Sequence, residues 1–239
     1  MRVALFGEGK NDFGYFTYDK KNCRYWEEGA IQPLLRNFDF FRDAELIAIS
    51  KEEIKKGEEI KKGSYINGKR EIEANFKGVA LKLLYYIKIQ RSKIKDYNFI
   101  VFYSDCDKDD YNARYQQINT ALQYIFKEYD IEGIVMMPHR ILENWLLGCQ
   151  SAYEKIFGQI PNNPKLPNKP EVWWGDKASP DFPKNKLAKV LKQFHKEPNT
   201  VIFKEITGNI DIEELRLKCP ISFASFCKEL EKKVAKKNK

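Results

Sequence analysis

The chain has 239 residues, 43% hydrophobic and 32% charged, with 42 Lys and Arg against 34 Asp and Glu for a net charge of +8. That balance suits a soluble globular protein with one large domain, or one domain and an elaboration, and no stretch approaches the ~20 apolar residues a membrane helix needs. Five cysteines without a CxxC pair read as reduced thiols of a cytoplasmic protein, and two histidines argue against a histidine-rich zinc centre.

The N-terminus runs directly into strand-like sequence, 2–6, so no signal peptide is expected. A glycine turn at Gly7–Gly9 follows and opens towards a helix. Residues 15–24 read as a polar, aromatic loop and 26–38 as a helix interrupted by Pro33. A second strand is expected over 44–49, then a charged, glycine-containing segment over 51–70. Ile72, Phe76, Val79, Ala80, Leu83, Leu84 and Ile87 recur at helical spacing and predict a helix over 72–90. Strand 98–103, helix 114–129 (Tyr115, Ile118, Leu122, Ile125 and Phe126) and strand 133–137, stopped by Pro138, complete an alternating pattern. Such alternation predicts an α/β fold: a mainly parallel sheet of about four strands flanked by helices, Rossmann-like in outline. Beyond Trp145 the chain turns proline-rich over 161–183, then gives short helical stretches at 186–194, 212–217 and 223–234 and a lysine-rich end, 232–239, expected to fray. The expected organisation is a domain over 1–148 and an irregular and helical extension over 149–239 packed on it.

Gly7-Glu8-Gly9-Lys10 is neither a Walker A loop, since Asn11 follows the lysine, nor a dinucleotide fingerprint, since Asp12 stands where the third glycine belongs. The glycines instead present Glu8 at the end of the first strand. Asp105 and Asp107 follow a later strand, and in a parallel sheet such strand ends converge on one crevice. An extended segment would turn Asp105 and Asp107 to one side, and with Glu8 they offer the hard oxygen ligands that Mg²⁺ or Mn²⁺ takes. Asp109 and Asp110 read better as a helix cap; Asp105 and Asp107 taken alone fit cap and ligand equally, and the presence of Glu8 favours the ligand. Pro138–Leu147 looks like a helix start that places His139 and Glu143 on one face and Leu142, Trp145 and Leu146 on the other. Glu143 is either a polar-face residue in local contact with His139 or a further metal ligand, with Lys10, Asp12, His139 and Arg140 as supporting or phosphate-binding residues. Trp173 and Trp174 read as pins for an irregular segment.

The Glu8-Gly9 pair after a first strand and the later Asp105-x-Asp107 resemble the Toprim domain of topoisomerases, primases and OLD-type nucleases, over roughly residues 1–148. Glu143-Asn144-Trp145-Leu146-Leu147 and Cys219-Pro220-Ile221-Ser222-Phe223, the latter with one inserted residue, resemble motifs of small stand-alone Toprim-like proteins found beside RecF/ABC-type ATPases in phage defence. The resemblance implies that Glu8 is the general acid/base and a metal neighbour, that Asp105 and Asp107 hold Mg²⁺ or Mn²⁺, and that Glu143 completes or supports the site. It further implies a nuclease acting on DNA or RNA with a partner ATPase. The alternatives are a Toprim fold without catalysis serving an ATPase complex, and a hydrolase of oligonucleotides or nucleotide phosphates. The positive charge is as compatible with nucleic acid as with a plain solvated surface, and a homo-oligomer is compatible with the sequence.

Overall fold

The computed structural model describes residues 1–7, 9–50, 83–84, 86–87 and 96–237. In chain order the strands are β1 Arg2–Gly7, β2 Gly14–Tyr18, β3 Arg24–Glu28, β4 Glu45–Ser50, β5 Phe99–Tyr103 and β6 Glu132–Met136. The helices are α1 Ile31–Arg36, α2 Asp39–Arg42, α3 Tyr111–Tyr129, α4 Leu142–Leu146, α5 Gln150–Phe157, α6 Pro183–Lys192, α7 Thr200–Gly208, α8 Ile212–Lys218 and α9 Phe223–Lys237. The chain divides into two compact units: Met1–Gly7, Ala44–Tyr103 and Asp109–Val135 in the first, Glu8–Asp43, Ser104–Lys108 and Met136–Lys239 in the second. Among the described residues no helix is long and apolar enough to cross a membrane.

The first unit carries a four-stranded parallel sheet in the order β4-β1-β5-β6, the α/β arrangement that the alternating sequence predicts. Val3, Ala4, Leu5 and Phe6 of β1 and Phe99, Ile100 and Val101 of β5 have no exposed surface. Uninterrupted apolar runs of this kind belong to strands covered on both faces, where alternation has no reason to appear. The register pairs Val3 with Leu46 on one side and with Phe99 on the other. Helix α3 begins at Asp110, whose carboxylate accepts from the Ala113 N–H at 2.7 Å, as expected of this acidic turn. Its inward stripe is Ile118, Ala121, Leu122 and Ile125, whereas Phe126, expected with them, is 44% exposed. Gly133 of β6 lets the helix approach: a Cβ there would lie 2.8 Å from Leu122 Cδ2. Of the helix expected over 72–90, Leu83, Leu84, Tyr86 and Ile87 are described; all are helical, and Leu83, Leu84 and Ile87 are buried. The rest of it, and the charged segment over 51–70, lie outside the described residues.

In the second unit the loop expected over 15–24 and the helix expected over 26–38 are corrected. Strands β2 and β3 pair antiparallel, Phe16 opposite Trp26, and the helix is confined to Ile31–Arg36. Trp26-Glu27-Glu28 belongs to the hairpin, and Pro33 falls in the first turn of α1, where a missing N–H costs no hydrogen bond. The C-terminal helices α8 and α9 cover two of the three expected stretches, α6 covers 186–192 of the third and starts earlier, at Pro183, and α9 continues to Lys237 where fraying was expected. Helices α5 and α7 were not anticipated; Asn199 starts α7 by accepting from the Ile202 N–H at 3.0 Å. The proline-rich stretch is irregular as expected, apart from a 3-10 turn at Pro170–Val172.

Candidate functional site

The described candidate residues all belong to the second unit. Glu8 lies outside the described residues. The turn beside it is built on Gly9, at φ +98°, whose carbonyl accepts from Phe13 N–H at 2.9 Å and Gly14 N–H at 3.1 Å. The Asn11 and Asp12 carbonyls then accept from Ala30 and Ile31 N–H, both at 2.9 Å, which fixes the turn to the start of α1. A Cβ at Gly9 would stand 3.0 Å from Asp12 Oδ2, so the position needs glycine for both its backbone and its neighbour.

The segment Ser104–Lys108 is held against 136–142. The Arg140 carbonyl accepts from the N–H groups of Cys106 and Asp107, both at 2.9 Å, and the Met136 carbonyl from Ser104 N–H at 3.3 Å. Asp107 adopts a left-handed φ of +54°, so Asp105 and Asp107 do not form the extended pair expected from alternation. Asp105 instead accepts, through Oδ1, the first N–H of α4, from Leu142 at 3.1 Å. Capping residue and metal ligand are compatible tasks for a carboxylate, which has two oxygens.

The expected helical face joining His139 to Glu143 does not form, because α4 begins only at Leu142. His139 places Nδ1 3.1 Å from the Glu171 carbonyl, a contact that makes Nδ1 the protonated nitrogen. Arg140 lies over Trp174, 5.7 Å from the ring centre, and donates to the Asp107 carbonyl at 3.3 Å. Both side chains thereby hold loops in place. Trp173 and Trp174 are half-buried, and Trp174 meets Phe182 edge-on at 5.2 Å, in keeping with the pinning role. Lys10 rests its ammonium over the Tyr15 ring at 4.4 Å.

Glu143 is 6% exposed. One oxygen, Oε1, stands 3.8 Å from Lys184 Nζ; the other, Oε2, is buried without a hydrogen-bond partner among the described residues. Burial pushes its carboxyl above the ordinary range, Lys184 opposes that shift, and Asp107 adds to it. Lys184, unanticipated from the sequence, is the hub. Glu143 first, then Asp12, Asp105 and Asp107, raise its pKa against the opposing effect of burial. One ammonium on α6 thus lies in the field of four carboxylates. Among the described residues, no three His, Cys, Asp or Glu side chains stand at metal-binding spacing.

No family model, curated protein or solved structure matches the chain. What the geometry does show is how the two later motifs work together. Trp145 donates from Nε1 to Ser222 Oγ at 2.9 Å and meets Phe223 edge-on at 5.2 Å. Asn144 donates to the Pro170 carbonyl at 2.6 Å and the Trp173 carbonyl at 2.9 Å. Between them Glu171, also unanticipated, is buried and accepts from Ile221 N–H at 2.7 Å, Ser222 N–H at 2.5 Å and the Ser222 hydroxyl. Glu143 is therefore the one side chain of the Glu143-Asn144-Trp145 run turned to the acidic cluster, and its two neighbours fix the helix that carries it. No periodic signal marks Glu171 or Lys184, because their partners are distant in sequence.

By chemical type alone the carboxylates suit a hard divalent cation, although those described do not stand at metal-binding spacing. Their oxygens are of the kind that Mg²⁺ and Mn²⁺ prefer, and include a buried one that lacks a partner among the described residues.

Proposed function

We propose that the protein is a cytoplasmic, metal-dependent phosphodiesterase acting on DNA or RNA. The observation that carries the reading is the buried carboxylate of Glu143, one oxygen of which has no hydrogen-bond partner among the described residues while the other faces Lys184, an ammonium on which Asp12, Asp105 and Asp107 also act. Asp105, Asp107 and Glu143 would hold Mg²⁺ or Mn²⁺, with Glu8 as the further carboxylate that the sequence places after β1. Such an ion neutralises non-bridging phosphate oxygens and lowers the pKa of a bound water. Glu8 would move the proton. Lys184 balances the carboxylates without the ion and is a ready partner for a phosphate oxygen with it. The resemblance to Toprim-like defence proteins adds a RecF/ABC-type ATPase as the expected partner.

The test is cleavage of labelled single- and double-stranded DNA and RNA in Mg²⁺ or Mn²⁺, with and without that partner. Wild type is expected to cleave at least one substrate, and Glu8→Gln, Asp105→Asn and Glu143→Gln to abolish cleavage while the far-ultraviolet circular dichroism is unchanged. Undiminished cleavage by all three variants would remove the site assignment.

A second reading, a non-catalytic Toprim-fold subunit of an ATPase complex, draws on one observation: Lys184 already supplies the cluster with a cation. It expects no metal-dependent thermal shift and no cleavage even with the partner present.

A further inference from the structure

A cavity of about 440 Å³ lies within the second unit, where the turn after Gly9 faces the start of α7. Its walls include Lys10, Asn11 and Tyr15 from the turn and hairpin, and Lys196, Thr200 and Glu205 from around α7. We propose that this cavity is a phosphate subsite that seats a nucleic-acid strand beside the acidic cluster, a proposal that rests on the phosphodiesterase reading.

Three features support an oxyanion there. The Lys10 ammonium is held over the Tyr15 ring, 4.4 Å from its centre, so it is a positioned cation on the cavity wall rather than a freely swinging one. Lys196 supplies a second, exposed ammonium. The first turn of α7 opens at the same wall, and the Asn199 side chain is engaged with the Ile202 N–H, so the N–H groups of Thr200 and Val201 have no acceptor within the helix. The wall itself is braced: Thr200 Oγ donates to Asn11 Oδ1 at 2.7 Å, joining residues far apart in sequence. Glu205 leaves one net positive charge from the two lysines, which suits a single diester phosphate, and its carboxylate can accept from sugar or base donors.

The cavity and the cluster share one turn. Lys10 and Asn11 line the cavity, and Asp12, the next residue, acts on Lys184 among the carboxylates. Consecutive Cα atoms are ~3.8 Å apart, so Lys10 on the cavity wall and Asp12 among the carboxylates are separated by at most two such steps of chain. The pocket thereby supplies a hold on the substrate that the carboxylates, which repel phosphate without a cation, cannot give.

The experiment is fluorescence anisotropy with a labelled single-stranded DNA ten-mer in EDTA, where binding is read without cleavage, alongside thymidine 5′-monophosphate as competitor. Lys196→Glu is expected to weaken binding at least tenfold and to reduce the slope of log K against log salt by roughly 0.7, the share of one single-strand phosphate contact. Lys155→Glu, on the exposed side of α5 and equal in charge change, is expected to stay within twofold of wild type. Equal losses in the two variants, no loss in Lys196→Glu, absence of wild-type binding, or equal affinity for the monophosphate and the ten-mer would each overturn the subsite. Failure of the nuclease reading looks different: the ten-mer binds through Lys196, and no metal brings cleavage.

Discussion

Lys184 Nζ faces Glu143 Oε1 at 3.8 Å, the ammonium on the open side of the pair and the carboxylate on the buried side. Removal of the cation leaves a buried anion without its nearest counter-charge, which is the costly direction in which to break such a pair. Because the Lys184 side chain is 59% exposed, solvent screens the interaction, and the cost is about 1 kcal/mol rather than that of a fully buried pair. Lys184→Met is therefore expected to lower Tm in EDTA by a few degrees. It is also expected to gain more Tm from saturating Mg²⁺ than wild type does, since ion and ammonium compete for the same carboxylates. Differential scanning fluorimetry with and without Mg²⁺ measures both; a smaller gain in the variant would contradict the competition.

Glu214 gives the fold a defined acid sensitivity. Burial pushes its carboxyl up, but the hydrogen bonds from Ser151 and Cys149 and from the backbone N–H of Gln150 and Ser151 outweigh that and hold it below the ordinary value of 4.5. A carboxyl lowered on folding stabilises the protein above its unfolded pKa, and the contribution is lost as pH falls through the folded one. The Gln150 N–H at 2.8 Å and Ser151 N–H at 3.1 Å are the first of α5, so Glu214 acts as its cap. Glu214→Gln is expected to cost about 1 kcal/mol at pH 7, by analogy with other caps. The gap from wild type should close as pH drops below 4.5, as followed by urea unfolding across that range. A gap that widens on acidification would reverse the assigned sign.

The Trp145–Ser222–Glu171 chain separates two kinds of loss. Trp145→Phe removes one donor and keeps most of the apolar volume, and about 1 kcal/mol is expected. Glu171→Ala leaves the Ser222 N–H and hydroxyl buried without their acceptor, and a loss of at least ~3 kcal/mol is expected. Chemical denaturation of both variants checks the order. A larger loss in Trp145→Phe would show that the ring, and not the carboxylate, holds the 219–223 element.

Gly133 tests the helix–sheet packing of the first unit. A methyl group there would meet Leu122 Cδ2 at 2.8 Å and Ile100 Cβ at 3.4 Å. Gly133→Ala is expected to cost roughly 1–3 kcal/mol by overpacking, and Leu122→Ala in the same chain to recover part of it. Strict additivity of the two losses, read by thermal unfolding, would contradict the contact.

The sheet was legible because β1 and β5 are covered on both faces, so their residues are uniformly apolar and stand out from the amphipathic α3. The hairpin was not, because β2 and β3 are half-exposed and mix aromatic with charged residues, as a loop does. The acidic cluster was legible in part. Asp105 and Glu143 lie in one unit, as candidates for one site must, but the contacts they make there, Asp105 with the Leu142 N–H and Glu143 with Lys184, have no signal in the sequence. The extended geometry expected of Asp105-x-Asp107 ignored the left-handed turn at Asp107. Lys184 and Glu171 escaped because each acts through tertiary contacts: a lysine after a helix-starting proline reads as surface, and a glutamate in a proline-rich stretch reads as loop. Lys10 rests over Tyr15, a ring in the stretch expected as a polar, aromatic loop, a contact that the sequence does not announce.

The metal centre is tested most directly by diffraction from crystals soaked in MnCl₂, with data collected at a wavelength where manganese scatters anomalously. The expected result is an anomalous peak among the carboxylates of Asp105, Asp107 and Glu143, with Glu8 within reach and the Lys184 ammonium moved away from Glu143. Full-occupancy density for the Lys184–Glu143 pair and no peak in the cluster, in crystals that bind manganese elsewhere, would contradict it.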